Sequence, residues 1–263
     1  MPIKLMAASR RRPGLTRAEY FRYIEHYHGT VARLERFRIE KYIQNHVIDG
    51  AFGLISDDAH QNRVTDRDAV VELHFDSFRD MLATLEPEGV TQSRANKDGR
   101  FFADEANNVL LMAEEVELPV THPLPAFNPG LGEPGHGAVK VMQYIMRRPD
   151  CFPQDFPRLW RQAHDQALAA SPYADEMFRR ITLSKRSRVN DNDAEARAHF
   201  KMVDPPVYDI EVSFTLDSME QVGAFRQYFD ALTASELQFA DWSQSFFLYV
   251  RPVRIIDDAP PKE

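Results

Sequence analysis

The sequence predicts an α+β protein in which two tandem βαββαβ modules close a barrel within one chain, and three observations carry that reading. A segment rich in Pro and Gly, residues 118–137, divides the 263 residues almost in half. Strand-like and helix-like stretches follow in the same order on either side of it. Matching residues recur at separations of 136 to 139: His28 with His164, FADE ending at Glu105 with FADW ending at Trp242, and Glu72 in VELHF with Glu211 in IEVSF. The expected units are residues 1–117, a linker 118–137, and residues 138–263.

In the first unit, residues 3–8 read as a strand, and Thr16 with Glu19 forms a capping box that opens a helix reaching about Phe37. Residues 40–47 are a second strand. Residues 69–75 alternate apolar and polar as a half-buried strand does, 77–85 form a helix, and 108–116 close the unit. In the second unit, strand 139–146 precedes a helix capped by Asp155 with Pro157 in its first turn. Strands 177–184 and 207–214, helix 219–232 and strand 246–254 complete the same order. A βαββαβ unit makes a four-stranded antiparallel sheet with both helices on one face, so its bare face needs a cover. The sheet of the other unit provides one, and two facing sheets close a barrel.

Composition narrows the function. With 43% hydrophobic residues the chain supports a real core, and a net charge of −8 disfavours a phosphate-tracking surface, so neither nucleic acid nor an anionic membrane is expected as a partner. Cys151 is the only cysteine, which rules out an intramolecular disulfide and suggests a reducing, cytoplasmic setting. The N-terminal stretch is too short for a signal-peptide core, and no apolar run approaches the roughly 20 residues that span a bilayer. No Cys/His cluster, Gly-rich phosphate loop or Gly-x-Ser-x-Gly elbow occurs, and His26 and His28, two apart on a helix, point to different sides. No metal or cofactor is expected.

The candidate chemistry rests on histidines. Phe21, Ile24, His28, Val31 and Leu34 share one helical stripe, and Trp160, His164 and Leu168 share another, which turns both histidines toward a sheet. A lone buried His is most simply a hydrogen-bonded core residue. Recurrence at one position in two diverged halves favours a role in general acid–base chemistry. Tyr23 and Tyr27 flank His28 and can polarise a carbonyl or simply pack. His74 and Glu72 lie on one face of a strand, either as a barrel-interior dyad or as an exposed pair, while Asp104 and Asp241 read as turn residues.

The segment RRRPGLTRAEYFRYIEHYHGTVA, residues 10–32, resembles the signature opening of the EthD-like proteins, members of the dimeric α+β barrel family: basic residues with Pro-Gly-Leu, a Thr cap, an aromatic helix and His-Gly. It departs at Thr30, where the family often has Pro. The second copy, residues 147–168, has lost Pro-Gly-Leu and carries Asp165 where Gly29 stands. The resemblance implies ferredoxin-like modules, with a homodimer of single units replaced here by one fused chain, and leaves a homodimer of that chain as a possible further state. It also implies a small, largely apolar aromatic or polyketide-like ligand.

The function expected from this is a cofactor-independent lyase or isomerase. His28 and His164 are its leading bases, Glu72 and His74 a supporting pair, and Tyr23, Tyr27 and Trp160 the ligand contacts. The chemistry is expected to centre on His28. Alternatives are a non-catalytic carrier, a stress-response or assembly protein with a merely packed barrel, and a cofactor-free or haem-using monooxygenase.

Overall fold

Eight antiparallel strands close a single barrel in the order β1-β3-β2-β8-β5-β7-β6-β4. The computed structural model describes residues 2–34, 38–52, 67–85, 97–123, 139–171, 173–187 and 208–257. The strands are β1 Ile3–Ser9, β2 Lys41–Phe52, β3 Ala69–Phe75, β4 Val109–Leu118, β5 Val139–Ile145, β6 Arg180–Arg186, β7 Ile210–Leu216 and β8 Phe246–Ile256. Each half contributes four neighbouring strands in one order, β4-β1-β3-β2 and β8-β5-β7-β6. The seams are β2 on β8 and β4 on β6. Among the described residues, no helix is long and apolar enough to cross a membrane.

Local hydrogen bonds repeat across the halves. Arg11 bridges Ala103 as Arg147 bridges Ala240, and the Asp68 amide donates to Ser9 as the Asp209 amide donates to Ile145. One sequence match is corrected. Met6 of β1 faces Glu72, whereas Met142, at the same place in β5, faces Ser213, and Glu211 lies opposite Tyr144. Glu211 is thus two residues out of register with Glu72, because the connections leading into β3 and β7 differ in length and a single offset does not hold through both.

Some boundaries also move. Leu118, expected to open the linker, is the last residue of β4 and pairs with Ile181, and its side chain packs into the helix layer of the second half. The expected strand at 177 begins only at Arg180, after the short helix Ala174–Met177. Residues 35–37, the expected helix end, and 124–137 of the linker lie outside the described residues, as does Val207.

The first helix departs from regular periodicity in a way that matters for the site. Thr16 caps α1, Arg17–Arg22, through the expected box: its hydroxyl accepts from the Glu19 amide, and its amide donates to the Glu19 carboxylate at 2.8 Å. A π-helical turn follows over Tyr23–His28, and then α2, Gly29–Leu34. The buried positions are Tyr20, Ile24, Gly29 and Ala32, so a spacing of five interrupts the helical stripe. The Gln44 side chain donates to the Ile24 carbonyl at 2.7 Å, and that carbonyl also takes the Gly29 amide. This extra residue rotates α2. Leu34, expected on the apolar stripe, is 81% exposed, and Gly29 takes the inward place. A Cβ there would meet Ile255 Cδ1 at 2.9 Å, so glycine lets α2 lie directly on β8.

Outside the barrel, α3 Phe78–Leu85 joins α1 and α2 over the first half, and α5 Phe156–Ala170 and α7 Val222–Glu236 cover the second, with α4 Gly99–Phe102 and α6 Ala174–Met177 as short links. Inside, the barrel is largely filled. One apolar layer holds Met6, Val70, Leu111, Met142, Tyr144 and Leu248. Beside it lies a buried ionic layer: Glu72 sits between Lys4, at 3.0 Å, and Lys140, and accepts from Asn45 Nδ2 at 2.6 Å. Lys4 also contacts Glu115 at 2.6 Å and Glu211 at 3.7 Å.

Burial would raise the carboxyl of Glu72, but Lys140 and Lys4 outweigh it and hold the group well below its usual range. Burial likewise opposes the effect of Lys4 on Glu115, which ends at about 2. Carboxylates lowered in the folded state contribute stability above their unfolded value of 4.5, and that contribution is lost as pH falls toward 2. Lys4→Met should cost about 3–5 kcal/mol in urea unfolding at pH 7, since it strands buried charge. Acid protonates the stranded carboxylates, so the difference from the parent protein should shrink by pH 3. A difference independent of pH would show that charge is not the cause.

Candidate functional site

The sequence-expected residues fall into three separate places. His28 ends the π turn on the outer, helix side of the sheet. Its Nδ1 donates to Asp98 Oδ1 at 2.9 Å, which fixes Nε2 as the free, basic nitrogen of the neutral ring. The imidazole is partly open, with 18% of its side chain exposed, while Asp98 is buried just before α4. Aromatic rings wall it: Phe102 at 5.1 Å and Tyr42, edge-on, at 6.3 Å. Tyr23 packs on Phe102 at 5.4 Å, and burial, followed by the nearby Asp98 charge, pushes its phenol up to about 12. Tyr23 therefore stays a proton donor through the physiological range. Tyr27 packs against Tyr23 at 5.0 Å, tilted by 45°, with half of its surface in solvent.

His164 has a different environment. It lies on the regular helix α5, its Nδ1 is 2.7 Å from the Tyr228 hydroxyl, and Trp160 stacks on its face at 5.3 Å. Only 3% of it is exposed. Burial lowers its pKa to about 4. Trp160, expected to line a ligand pocket, is itself fully buried and donates its Nε1 hydrogen to Glu236 at 2.9 Å. That corrects its place: an indole used up as a core donor presents no face to a planar ligand. Gln143 donates to the same carboxyl, and burial among apolar neighbours drives Glu236 up to about 8.

Glu72 and His74 form the third place. Both point into the barrel, but His74 Nε2 is 3.7 Å from Glu72, whose oxygens face the two lysines. Burial, the largest cause, lowers His74 despite that carboxylate. Oxygen and nitrogen atoms of Glu72, His74 and Glu115 lie within 4.8 Å of one another, a spacing that could hold a metal ion. Lys4 already supplies the cation between the two carboxylates. A larger surface cleft of about 690 Å³, lined by Arg147, Phe156, Arg158 and Lys185 among others, includes none of the expected site residues.

Sequence reasoning missed Asp98, Glu236 and Gln44. Asp98 lies in a stretch with no apolar period, and nothing in its neighbours marks it as the partner of a residue 70 positions earlier. Glu236 stands four residues after Leu232 and seven after Phe229, on the buried stripe of α7, so helical spacing was the signal that could have found it. His46, also unmarked, stacks on Phe21 at 4.4 Å, and burial lowers it to about 3, consistent with a neutral core residue.

These features define an antiparallel eight-stranded α+β barrel with a carboxylate–histidine pair in its first helix layer. The profile of the EthD domain matches residues 12–106, which span the Thr16 cap, the π turn, His28 and Asp98. Comparison with curated proteins gives no match. Among solved structures, the chain is similar to a protein of Fusobacterium nucleatum subsp. nucleatum provisionally labelled a monooxygenase, with 9% identity, coverage of 96% of this chain and 92% of that one, and a TM-score of 0.52. It is also similar to a protein provisionally labelled a chlorite dismutase, with 10% identity, 97% and 96% coverage, and a TM-score of 0.50. At such identities the likeness is one of fold.

The buried histidine can be checked directly. With a folded value near 4 and an ordinary value of 6.5, His164 is neutral in both states above pH 6.5, and only the unfolded chain gains its proton between the two values. Its contribution to stability is therefore present above pH 6.5 and lost as pH falls toward 4. Ring-proton NMR should show His164 unprotonated down to about pH 4. Titration near 6.5 would mean that the site opens to water.

Proposed function

We propose that the chain is two fused copies of one ferredoxin-like module, residues 1–118 and 138–263 joined by 119–137. In this reading it is an enzyme that uses His28 as general base and acid on a small, largely apolar aromatic or polyketide-like molecule. The repeated strand order and the paired bridges at Arg11 and Arg147 support the duplication. The hydrogen bond from His28 Nδ1 to buried Asp98 is the observation that carries the chemistry.

In this reading Asp98 holds the ring in one tautomer and stabilises the imidazolium formed when Nε2 takes a proton from the substrate. The same nitrogen returns the proton elsewhere on the product, which gives isomerisation, or to a fragment after bond cleavage, which gives a lyase reaction. Tyr23, whose hydroxyl hydrogen-bonds Asp98 in the free protein, turns from it to donate to the substrate oxygen that gains charge. Tyr27, half in solvent and backed by the buried rings of Phe102 and Tyr42, supplies an apolar surface against which a planar molecule packs. The chain brings its own base, orienting carboxylate and proton donor, and none of these steps calls on a cofactor.

His164 belongs in this scheme to the core of the second half. Its ring is closed between Trp160 and Tyr228, so a haem does not fit against it, and a substrate reaches it only by displacing packed aromatics. Glu72 and His74 hold the barrel together from within rather than acting on the ligand. A filled interior also suits a purely structural barrel, and the dyad outside it is what favours an enzyme.

A panel of small aromatic and polyketide-like ketones, screened by NMR for exchange of C–H protons in D2O, tests the proposal. His28→Ala should lower exchange or turnover at least about a hundredfold while the protein stays folded. Asp98→Asn, at a positioning residue, should lower kcat about tenfold or more and shift the pH–rate profile with little change in KM. His164→Ala should affect melting far more than rate at low temperature. Equal rate losses from the two histidine variants would remove the asymmetry, and no exchange with any compound would favour a carrier.

A further inference from the structure

One end of the barrel holds a small cavity with an unbalanced charge. It has a volume of about 50 Å³, and its lining includes Lys41 of β2, Arg180 and Thr182 of β6, and Thr215 of β7, with Glu72 and Lys140 on its inner side. At about 10–15 Å³ for each water-sized group, this is room for roughly three to five heavy atoms.

Most charges around it are already matched. Lys140 and Lys4 hold Glu72, Lys4 holds Glu115, Arg180 reaches Glu117 at 2.9 Å and Glu115 at 3.4 Å, and Arg254 pairs with Asp257. Lys41 differs: among the described residues, no carboxylate lies within ion-pair distance of its Nζ. It opens β2 at the same register that Arg180 opens β6, one facing His74 and the other Thr215, so two cations point to one space. Burial, and after it Arg180, pushes the Lys41 ammonium toward losing its proton, as expected of a cation without a counter-ion. The hydroxyls of Thr182 and Thr215, on buried residues, make no hydrogen bond to another side chain among those described.

We propose that this cavity binds a small oxoanion of three to five heavy atoms, either a free ion or the carboxylate head of a larger molecule, on Lys41, Thr182 and Thr215. Lys41 and Arg180 supply the positive field, and the two hydroxyls donate to oxygen atoms. Glu72 and Glu115 do not repel the anion strongly, because their own lysines cancel them at contact distance. The site lies inside the barrel and His28 lies outside it, so the binding does not depend on the acid–base chemistry proposed above.

The test is calorimetric titration of the full chain with acetate, benzoate, nitrate and phosphate at constant ionic strength in chloride. Saturable binding of one anion per chain is expected. Acetate and benzoate binding alike would mark a head-group site, whereas nitrate or phosphate binding with benzoate excluded would mark a free-ion site. Lys41→Met should weaken binding at least about tenfold, the effect of losing one charged hydrogen bond, and Lys41→Arg should keep most of it. Thr215→Val, which leaves the charges in place, should weaken it severalfold, and His28→Ala should leave it unchanged. No saturable binding by the parent protein, or equal affinity in Lys41→Met, would overturn the proposal and leave a cavity that holds water only.

Discussion

The barrel depends on Glu72, a buried carboxylate clamped between lysines from opposite halves of the chain. Lys4 comes from β1, the strand beside Glu72's own β3, and Lys140 from β5 of the other half, so one ion pair runs along a sheet and the other crosses the space between the two. Buried pairs of this kind add little net stability, because desolvation offsets most of their attraction. Their value lies in specificity. An arrangement that shifted one sheet by a residue would strand at least one charge in an apolar interior, so the clamp fixes how the sheets face each other.

The clamp also determines where chemistry can take place. Among the described residues, the interior is divided between packed apolar side chains and paired ions, with a small polar cavity at one end that is too small to enclose a ring. The helix side is more open, and there the two halves differ. His28 and His164 hold matching positions in the sequence, yet one pairs with a carboxylate at a partly open edge and the other with a phenol in a sealed core.

A single extra backbone residue accounts for much of that difference. The π turn at Tyr23–His28 moves the buried stripe onto Gly29 and leaves His28 at the margin of the core, where it meets Asp98 and still reaches solvent. The second helix keeps ordinary α geometry, so its histidine points straight into the core beside Trp160. Gln44 helps to hold the turn from below by satisfying the carbonyl that an ordinary helix would use differently. Such turns interrupt regular packing and often mark functional positions.

Periodicity and punctuation in the sequence determined the order of strands and helices, the Thr16 cap and the near-equal halves. These are local properties, set by alternation, helical spacing and turn residues. His28 was singled out by the repeat and the motif around it, but its place beside the buried stripe rather than on it came from the π turn. Its partner was not singled out, because Asp98 is brought to it by tertiary packing across 70 residues. The register of Glu211, the burial of Trp160 and the exposure of Leu34 were equally out of reach: each depends on a connection length, a neighbouring carboxyl or one π turn, none of which leaves a periodic trace. Tertiary structure alone decided which of two matching histidines faces water, since that choice rests on what the rest of the chain packs around each ring.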